Sequence, residues 1–501
     1  MIKKLDIKPL IISIFIISIC SIVYELIIAA SSSYLLGNSI KQFSITIGLY
    51  MSAMGIGSYI SKYAQKKLFD IFVLIELSIG LLGGLSALLL FISYAYTDIF
   101  VLVMYILIIL IGILVGLEIP ILTRIIESYN HELRITIANV LSFDYLGALI
   151  GSILFPIFLF PHLGLIRTSF LIGLLNIIVA GIIIIKYKSF ISTKIFNYIF
   201  IACSVILILG FIFGDYSADR IEQNLYRDKI IYSKQTPYQK IVMTRHKDDI
   251  RVFLDGNIQF SSMDEYRYHE ALVHPAMGLN KNVSNVLILG GGDGLAAREI
   301  FKYDTIENID LVDIDREMTE FSRTNPLIKD LNQGSLDNKK LNIYNEDAYK
   351  FLENNTTIYD VVIVDLPDPN NESLNKLYTD TFYRLIGNHI AEDGVFVVQS
   401  TSPYYAKKAY WCINKTIKSE NFHVVPYHIE VPSFGDWGFQ LVSKKPISME
   451  DVDVMVDTKF LNESTLSKMT IFAKDEIIDL NTIEINRIFK PVLPMYYEEA
   501  E

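Results

Sequence analysis

Hydrophobic positions fall into two regimes along this chain. Up to residue 214 they form runs of about 20 apolar residues with few charges, long enough to cross a bilayer as helices. Seven runs are expected, at 9–29, 44–62, 71–95, 98–121, 136–160, 168–186 and 196–214. Polar residues 215–228 then predict a linker. Beyond it, short apolar runs bounded by turn residues alternate with helical patterns, which predicts strands and helices in succession.

In the second half, IIYSKQTPYQKIVMTRH and RVFLDGNIQF read as a small antiparallel sheet over 229–262, with a helix in DEYRYHEALVHPAM after it. Val286–Leu289 is a buried strand that breaks at Gly290-Gly291-Gly292-Asp293-Gly294. A helix starts at Leu295, and a second apolar run ends in Asp313. Further strand ends fall near Asp347, at Asp365 and near Gln399. The expected architecture is an α-helical multi-pass membrane domain (1–214), then an α/β part. The latter comprises the small β domain and a doubly wound, Rossmann-like sheet of the nucleoside-dependent methyltransferase type (263–445), with a C-terminal extension (446–501).

Charge sharpens this picture modestly. Of a net −11 over 501 residues, the first 214 contribute 9 acids against 13 bases, so the soluble part is strongly acidic. That argues against nucleic acid as a partner and suits cationic substrates. Cys20, Cys203 and Cys412 are too scattered for a disulfide or metal framework. Lysines before the first run and between runs two and three and six and seven place the amino terminus in the cytoplasm. Seven crossings would then carry the catalytic half outside, away from cytosolic nucleosides. Either one run is re-entrant or interfacial, the fifth being marked by Pro156 and Pro161 near Asp144, or the charge rule misleads here; the catalytic half is expected in the cytoplasm, at the cell membrane. Glu25, Glu76, Glu118 and Asp144 lie within or at the ends of the runs. They would form either a cavity for a cation or helix–helix hydrogen bonds, the latter aided by close-packing Gly55 and Gly57.

The chemistry concentrates where strands end. A glycine turn between strand and helix lets a nucleoside approach the backbone, and an acid about 20 residues on can hold ribose hydroxyls. Asp293 inside the turn is unusual, because a carboxylate would repel a phosphate; the expected ligand is neutral or cationic. Asp293, Asp313, Asp347, Asp365 and Asp368 all fall at the carboxyl ends of strands. Taken alone, DLPDP could be an ordinary strand-ending turn, and His269 a buried structural histidine.

Taken together, YQKIVM at Tyr238, LDGNIQF at Leu254, DEYRYHEALVHPAM at Asp264, GGGDG at Gly290, NEDA at Asn345 and DLPDP at Asp365 resemble the spermidine synthase (polyamine aminopropyltransferase) family over residues 234–445. The first half and the tail NRIFKPVLPMYYEE resemble the bacterial multi-pass membrane branch. The resemblance implies decarboxylated S-adenosylmethionine as cosubstrate, a diamine such as putrescine as acceptor, and neither a metal nor a tightly bound cofactor. By position, Asp365 would be the proton acceptor, while Asp368, His269 and Asp293 face amine groups and Tyr268 and Gln399 line the amine pocket. Gln239, Gly290, Gly292 and Asp313 would hold the nucleoside and its ribose, and Asp347 with Ala348 would contact the adenine. A lipid bilayer and a second copy of the chain are the expected partners. Two departures stand out: Asn370-Asn371-Glu372-Ser373 replaces a Gly-Pro-Ala type segment, and Phe434 replaces a tyrosine that caps the substrate.

Two rival readings share these features. A methyltransferase uses the same sheet, nucleoside and ribose acid, but would carry an uncharged residue at position 293, where the methionine carboxylate of intact cofactor sits. A membrane sensor or transporter would bind polyamine without turnover and would not need the pair Asp365 and Asp368.

Overall fold

The computed structural model describes residues 7–36, 39–130, 132–280, 282–369 and 372–500. The chain divides into two compact units at Arg227/Asp228.

The first unit is helical: α1 (Lys8–Leu36), α2 (Ser39–Ile60), α3 (Leu68–Tyr96), α4 (Phe100–Asn130), α5 (Leu133–Leu154), α6 (Phe160–Lys186) and α7 (Ile195–Leu225). Taken as continuous stretches, six among the described residues are long and apolar enough to cross a membrane, the fifth running Leu133–Lys186. That stretch is not straight. Gly147 and Gly151 lie against residues 15–22 of α1, while Ile172 and Asn176 reach Cys20 and Tyr24 of the same helix. A straight helix would hold residues 147 and 176 about 43 Å apart. The chain therefore bends sharply between them, at the π-helical turn Phe155–Leu159, which contains Pro156, and at Gly164, where φ is +67°.

Polar side chains bridge helices in this unit. Asn176 of α6 donates to Glu76 of α3 (2.9 Å) and accepts from Tyr24 of α1 (2.8 Å), and Ser18 donates to Asp144. Gly57 is a point of close approach, since a Cβ there would lie 2.1 Å from the Ile113 carbonyl oxygen. Gly55, expected to share that role, faces open space, because a helix turns its neighbours two residues apart to different sides. The polar stretch expected as a linker is instead helical to Leu225. Beyond Gly214 it contains neither Gly nor Pro, so the helix meets no further breaker before Leu225.

In the second unit, β1 (Lys229–Gln235), β2 (Lys240–His246), β3 (Asp249–Leu254) and β4 (Asn257–Ser261) form an antiparallel sheet in chain order. Helix α8 (Glu265–Gly278) leads into β5 (Asn285–Gly290), α9 (Leu295–Ile300), β6 (Asn308–Val312), β7 (Leu341–Tyr344), β8 (Tyr359–Asp365), β9 (Ile390–Gln399), β10 (His423–Val431) and β11 (Gly435–Ser443). Their order across the sheet is β10-β11-β9-β8-β5-β6-β7. Strands β5 to β9 are parallel to their neighbours within that set, and β10 and β11 close the edge antiparallel.

The unbroken apolar run of β5 reflects burial on both faces. Val286 and Ile288 join the core beneath α8, while Leu287 and Leu289 join the opposite core with Phe351 and Phe382. Each such side chain contributes roughly 1.5–3 kcal/mol by leaving water. The C-terminal extension packs on both faces too. Leu461, Leu466 and Met469 enter the first core, and Ile483, Val492 and Leu493 the second.

Candidate active site

Strand order reverses at β5, which lies between β6 and β8, and the crevice beyond the strand ends there is where open α/β sheets hold ligands. Gly290 and Asp365 stand side by side in the β5–β8 pairing. Gly290 has φ of +86°, and a Cβ on it would lie 1.9 Å from the Asp365 carbonyl oxygen, so only glycine fits. The glycine turn is thereby pressed against the residue expected to act as base.

Asp365 is buried, at 5% exposure. Its Oδ1 accepts a 2.6 Å hydrogen bond from the Tyr268 hydroxyl, and its Oδ2 has no hydrogen-bond partner among the described residues. That free oxygen lies on the side of the glycine turn, 3.4 Å from where a Cβ of Gly291 would be. Burial and the nearby charge of Asp293 push the Asp365 carboxyl up to about 6, against the pull of His269 and Tyr268. Burial also raises Asp293, opposed by His269 and by a hydrogen bond from the Leu295 amide (2.9 Å).

Helix α8 supplies one side of this group. Tyr268, His269 and Glu270 are consecutive and point to three places, as expected for neighbours on a helix. Tyr268 reaches Asp365. His269 donates from Nδ1 to the Glu265 carbonyl (2.8 Å) and carboxylate (2.9 Å), and its ring carries charge interactions with both Asp293 and Asp365. Glu270 turns away and accepts from the amides of Lys459, Phe460 and Leu461. Burial disfavours charge on His269, yet Glu265, Asp293 and Asp365 raise it to about 9. Burial likewise opposes charge on Glu265, but His269 and Arg298 hold it down to about 2. Arg298 completes the support with a bidentate pair to Glu265 (2.8 and 2.9 Å). Three buried acids, Glu265, Asp293 and Asp365, thus favour the cationic form of the imidazole.

On the other side lies Asp313. Its Oδ2 accepts from the Gly292 amide (3.1 Å) and its Oδ1 from the Asp315 amide (2.8 Å). Loss of water and the neighbouring acids Asp315 and Asp293 push its carboxyl up to about 7. Asp315, not singled out in the sequence, is buried and ties the small sheet to the large one. It accepts from Thr236 (2.8 Å) and Gln239 (2.9 Å) and caps the helix Arg316–Thr324. Gln239 is thus positioned through Asp315. Asp347 caps the helix Ala348–Asn354 through the amides of Tyr349 and Lys350 and pairs with Lys376, while Ala348 is buried beside it.

Asp368 follows Asp365 by three residues and is half-buried. Its Oδ1 accepts from Gln399 (3.0 Å) and its Oδ2 from the Tyr497 hydroxyl (2.8 Å). Gln399 also donates to the Leu366 carbonyl (2.7 Å), and its oxygen accepts from the Thr401 amide and the Trp437 indole. Phe434 packs edge-on against Tyr268 and Trp437, with ring centres 5.9 and 5.0 Å away. Asn370 and Asn371, the first part of the departure noted above, lie outside the described residues.

Residues 265–453 match the spermine/spermidine synthase domain. A polyamine aminopropyltransferase of Leptospira interrogans is 45% identical over 491 residues, covering 97% of each chain. The chain belongs to the polyamine aminopropyltransferase family. A polyamine aminopropyltransferase of Oceanobacillus iheyensis is 43% identical over 492 residues, covering 97% of this chain and 96% of its own. The crystal structure of spermidine synthase from Thermotoga maritima overlays 51% of this chain and 88% of its own at 27% identity, with a TM-score of 0.46. By its full-length relatives, the chain is an aminopropyltransferase of the polyamine class. Its matched domain spans every acid of the crevice, from Asp293 to Asp368, together with the α8 residues beside them. Tyr497 lies outside that domain.

Proposed function

We propose that this aminopropyltransferase moves the aminopropyl group of decarboxylated S-adenosylmethionine to a diamine, with putrescine as the first acceptor. The observation that carries the proposal is Asp365, with one oxygen fixed by Tyr268 and the other buried and unpartnered. An amine with a pKa near that of lysine, about 10.4, is protonated at neutral pH and must lose a proton to attack. Asp365, raised toward neutrality, is suited to accept it. The amine nitrogen bonds to the carbon beside the sulfonium, and the carbon–sulfur bond breaks. Its electron pair returns to sulfur, giving 5′-methylthioadenosine, and the proton leaves on Asp365. Positioning supplies much of the rate.

In this scheme Asp313 accepts from the ribose hydroxyls, Asp347 and Ala348 border the adenine, and Gly290 and Gly292 let the nucleoside approach the backbone. Gln239 acts on the nucleoside side through Asp315. Asp293 balances the cationic donor, and His269 keeps the crowded carboxylates ionised. Asp368, oriented by Gln399, takes the far ammonium of the diamine. The test supplies purified full-length chain with decarboxylated and intact nucleoside and a panel of amines. Aminopropyl transfer to putrescine, lost in Asp365→Asn with nucleoside binding retained, is expected. Methyl transfer alone, or unchanged turnover in Asp365→Asn, overturns the proposal.

We also propose that the first unit anchors the enzyme in the cell membrane with the catalytic unit in the cytoplasm. Six helical stretches of sufficient length and apolarity support the anchoring. The cytosolic origin of nucleoside cosubstrates supports the side. Retention in membranes after alkaline washing, with a cysteine introduced at Lys339 unreactive toward an impermeant label in intact cells, is expected. Labelling of that cysteine without lysis overturns the orientation.

A further inference from the structure

The C-terminal extension is fastened to the catalytic sheet at many points. Asn486 is fully buried. It donates to the Tyr378 carbonyl (2.9 Å) and accepts from the amides of Val492 and Leu493 (3.1 and 3.3 Å). Its own amide donates to Thr416 (3.0 Å). Lys415 donates to the carbonyls of Leu480 and Ile483, and Trp411 to that of Glu476. Leu493 and Val492 are buried in the same core as Tyr378 and Phe382. A short helix, Leu493–Glu498, is thereby held over the loop that follows β8, and it places the Tyr497 hydroxyl 2.8 Å from Asp368 Oδ2.

Tyr378, on which Asn486 pulls, donates to the Pro367 carbonyl (2.9 Å) and meets Gln399 (3.2 Å), the other partner of Asp368. Asp368 is thus held from both sides: Oδ1 by Gln399 of the sheet and Oδ2 by Tyr497 of the tail. A carboxylate oxygen has capacity for a further donor beside a hydroxyl. The tyrosine therefore fixes the direction in which Asp368 presents its charge.

We propose that Tyr497 is a positioning residue of the amine pocket, and that the tail following the matched domain forms the wall where the far ammonium of the acceptor is read. This rests on the assignment of Asp368 to that ammonium. The class of ligand is a linear diamine, whose length decides whether its second nitrogen reaches the oxygen that Tyr497 orients.

The experiment compares Tyr497→Phe, Asp368→Asn and Tyr496→Phe in the full-length enzyme, with steady-state kinetics for putrescine, a longer diamine and the nucleoside cosubstrate. Tyr496 shares the helix but serves the Glu484 amide (3.3 Å), so it controls for the fold of the tail. Loss of one hydrogen bond to a charged group predicts a rise of roughly tenfold in KM for putrescine in Tyr497→Phe. KM for the cosubstrate and kcat should stay within about twofold, selectivity between the diamines should narrow, and Tyr496→Phe should match the wild type. An unchanged putrescine KM in Tyr497→Phe, with a raised one in Asp368→Asn, overturns the role of Tyr497. An unchanged putrescine KM in Asp368→Asn overturns the assignment of Asp368 instead. Equal losses in Tyr497→Phe and Tyr496→Phe, with lowered thermal stability in both, reduce the tail to a structural brace and also refute the inference.

Discussion

Replacing Tyr268 with Phe removes one oxygen and leaves the ring in place between His269 and Phe434. The lost hydroxyl donates at 2.6 Å to Asp365 Oδ1, and both residues are buried. A hydrogen bond to a charged group stabilises the ionised form by about 1.5–3 kcal/mol, and 1.36 kcal/mol corresponds to one pKa unit. Asp365 titrates at about 6, so its titration should move upward by roughly one to two units. At pH 7 the base would be half ionised or less, where the wild type is about nine-tenths ionised. The turnover number at pH 7 should fall to about a half to a tenth of the wild-type value from this cause alone. It should return toward the wild-type value above about pH 9, where both carboxyls are ionised. The assay is the pH dependence of kcat with both substrates saturating, read as release of 5′-methylthioadenosine. An acid limb at the wild-type position, or a loss that is uniform at every pH, would refute the link between this hydroxyl and the base.

Three further outcomes follow from the same geometry. Asp313 is pushed up to about 7 and accepts from hydroxyls most strongly when ionised, so KM for the cosubstrate should rise as pH falls through about 7; Asp313→Asn should raise it at every pH and abolish that dependence. His269 titrates at about 9 when folded, above its ordinary value near 6.5. Its contribution to stability is therefore complete below about 6.5 and lost as pH rises through about 9, and thermal unfolding of His269→Asn should show a shallower decline across that window. Gly290→Ala should prevent the catalytic sheet from closing, because its Cβ would collide with the Asp365 carbonyl, and should yield inactive, protease-sensitive protein. Gly334→Ala, also at positive φ but with no atom nearer than 3.9 Å, should cost only about 1 kcal/mol of backbone strain by chemical denaturation.

The parts of the site legible in the sequence are those set by local pattern. Apolar run lengths place Asp365 at the end of β8 and Asp313 just beyond β6, and the run GGGDG names its own turn. Three consecutive α8 positions had to diverge, and they do: Tyr268 to Asp365, His269 to Glu265, Glu270 to the tail. What escaped sequence reading depends on contacts between distant segments. Tyr497 meets Asp368 across 129 positions, and Arg298 meets Glu265 across 33. Asp315 carries no motif of its own, and only its bonds to Thr236 and Gln239 reveal that it joins two sheets. Residues 215–228 looked like a linker from polarity alone, yet α7 runs on to Leu225 because the stretch holds no breaker. At Gly55 and Gly57 composition was identical, and only the neighbouring helix decides which one is crowded.

Gly290 and Asp365 share a rung of the sheet, so main-chain ladder geometry sets the spacing between the glycine turn and the backbone that carries the Asp365 carboxylate, and the Tyr268 hydroxyl then holds that side chain. Such a ruler does not stretch. In the proposed reading, selection for a bulkier or longer acceptor acts through Phe434, Gln399 and the tail, while the backbone spacing between the glycine turn and Asp365 stays the same.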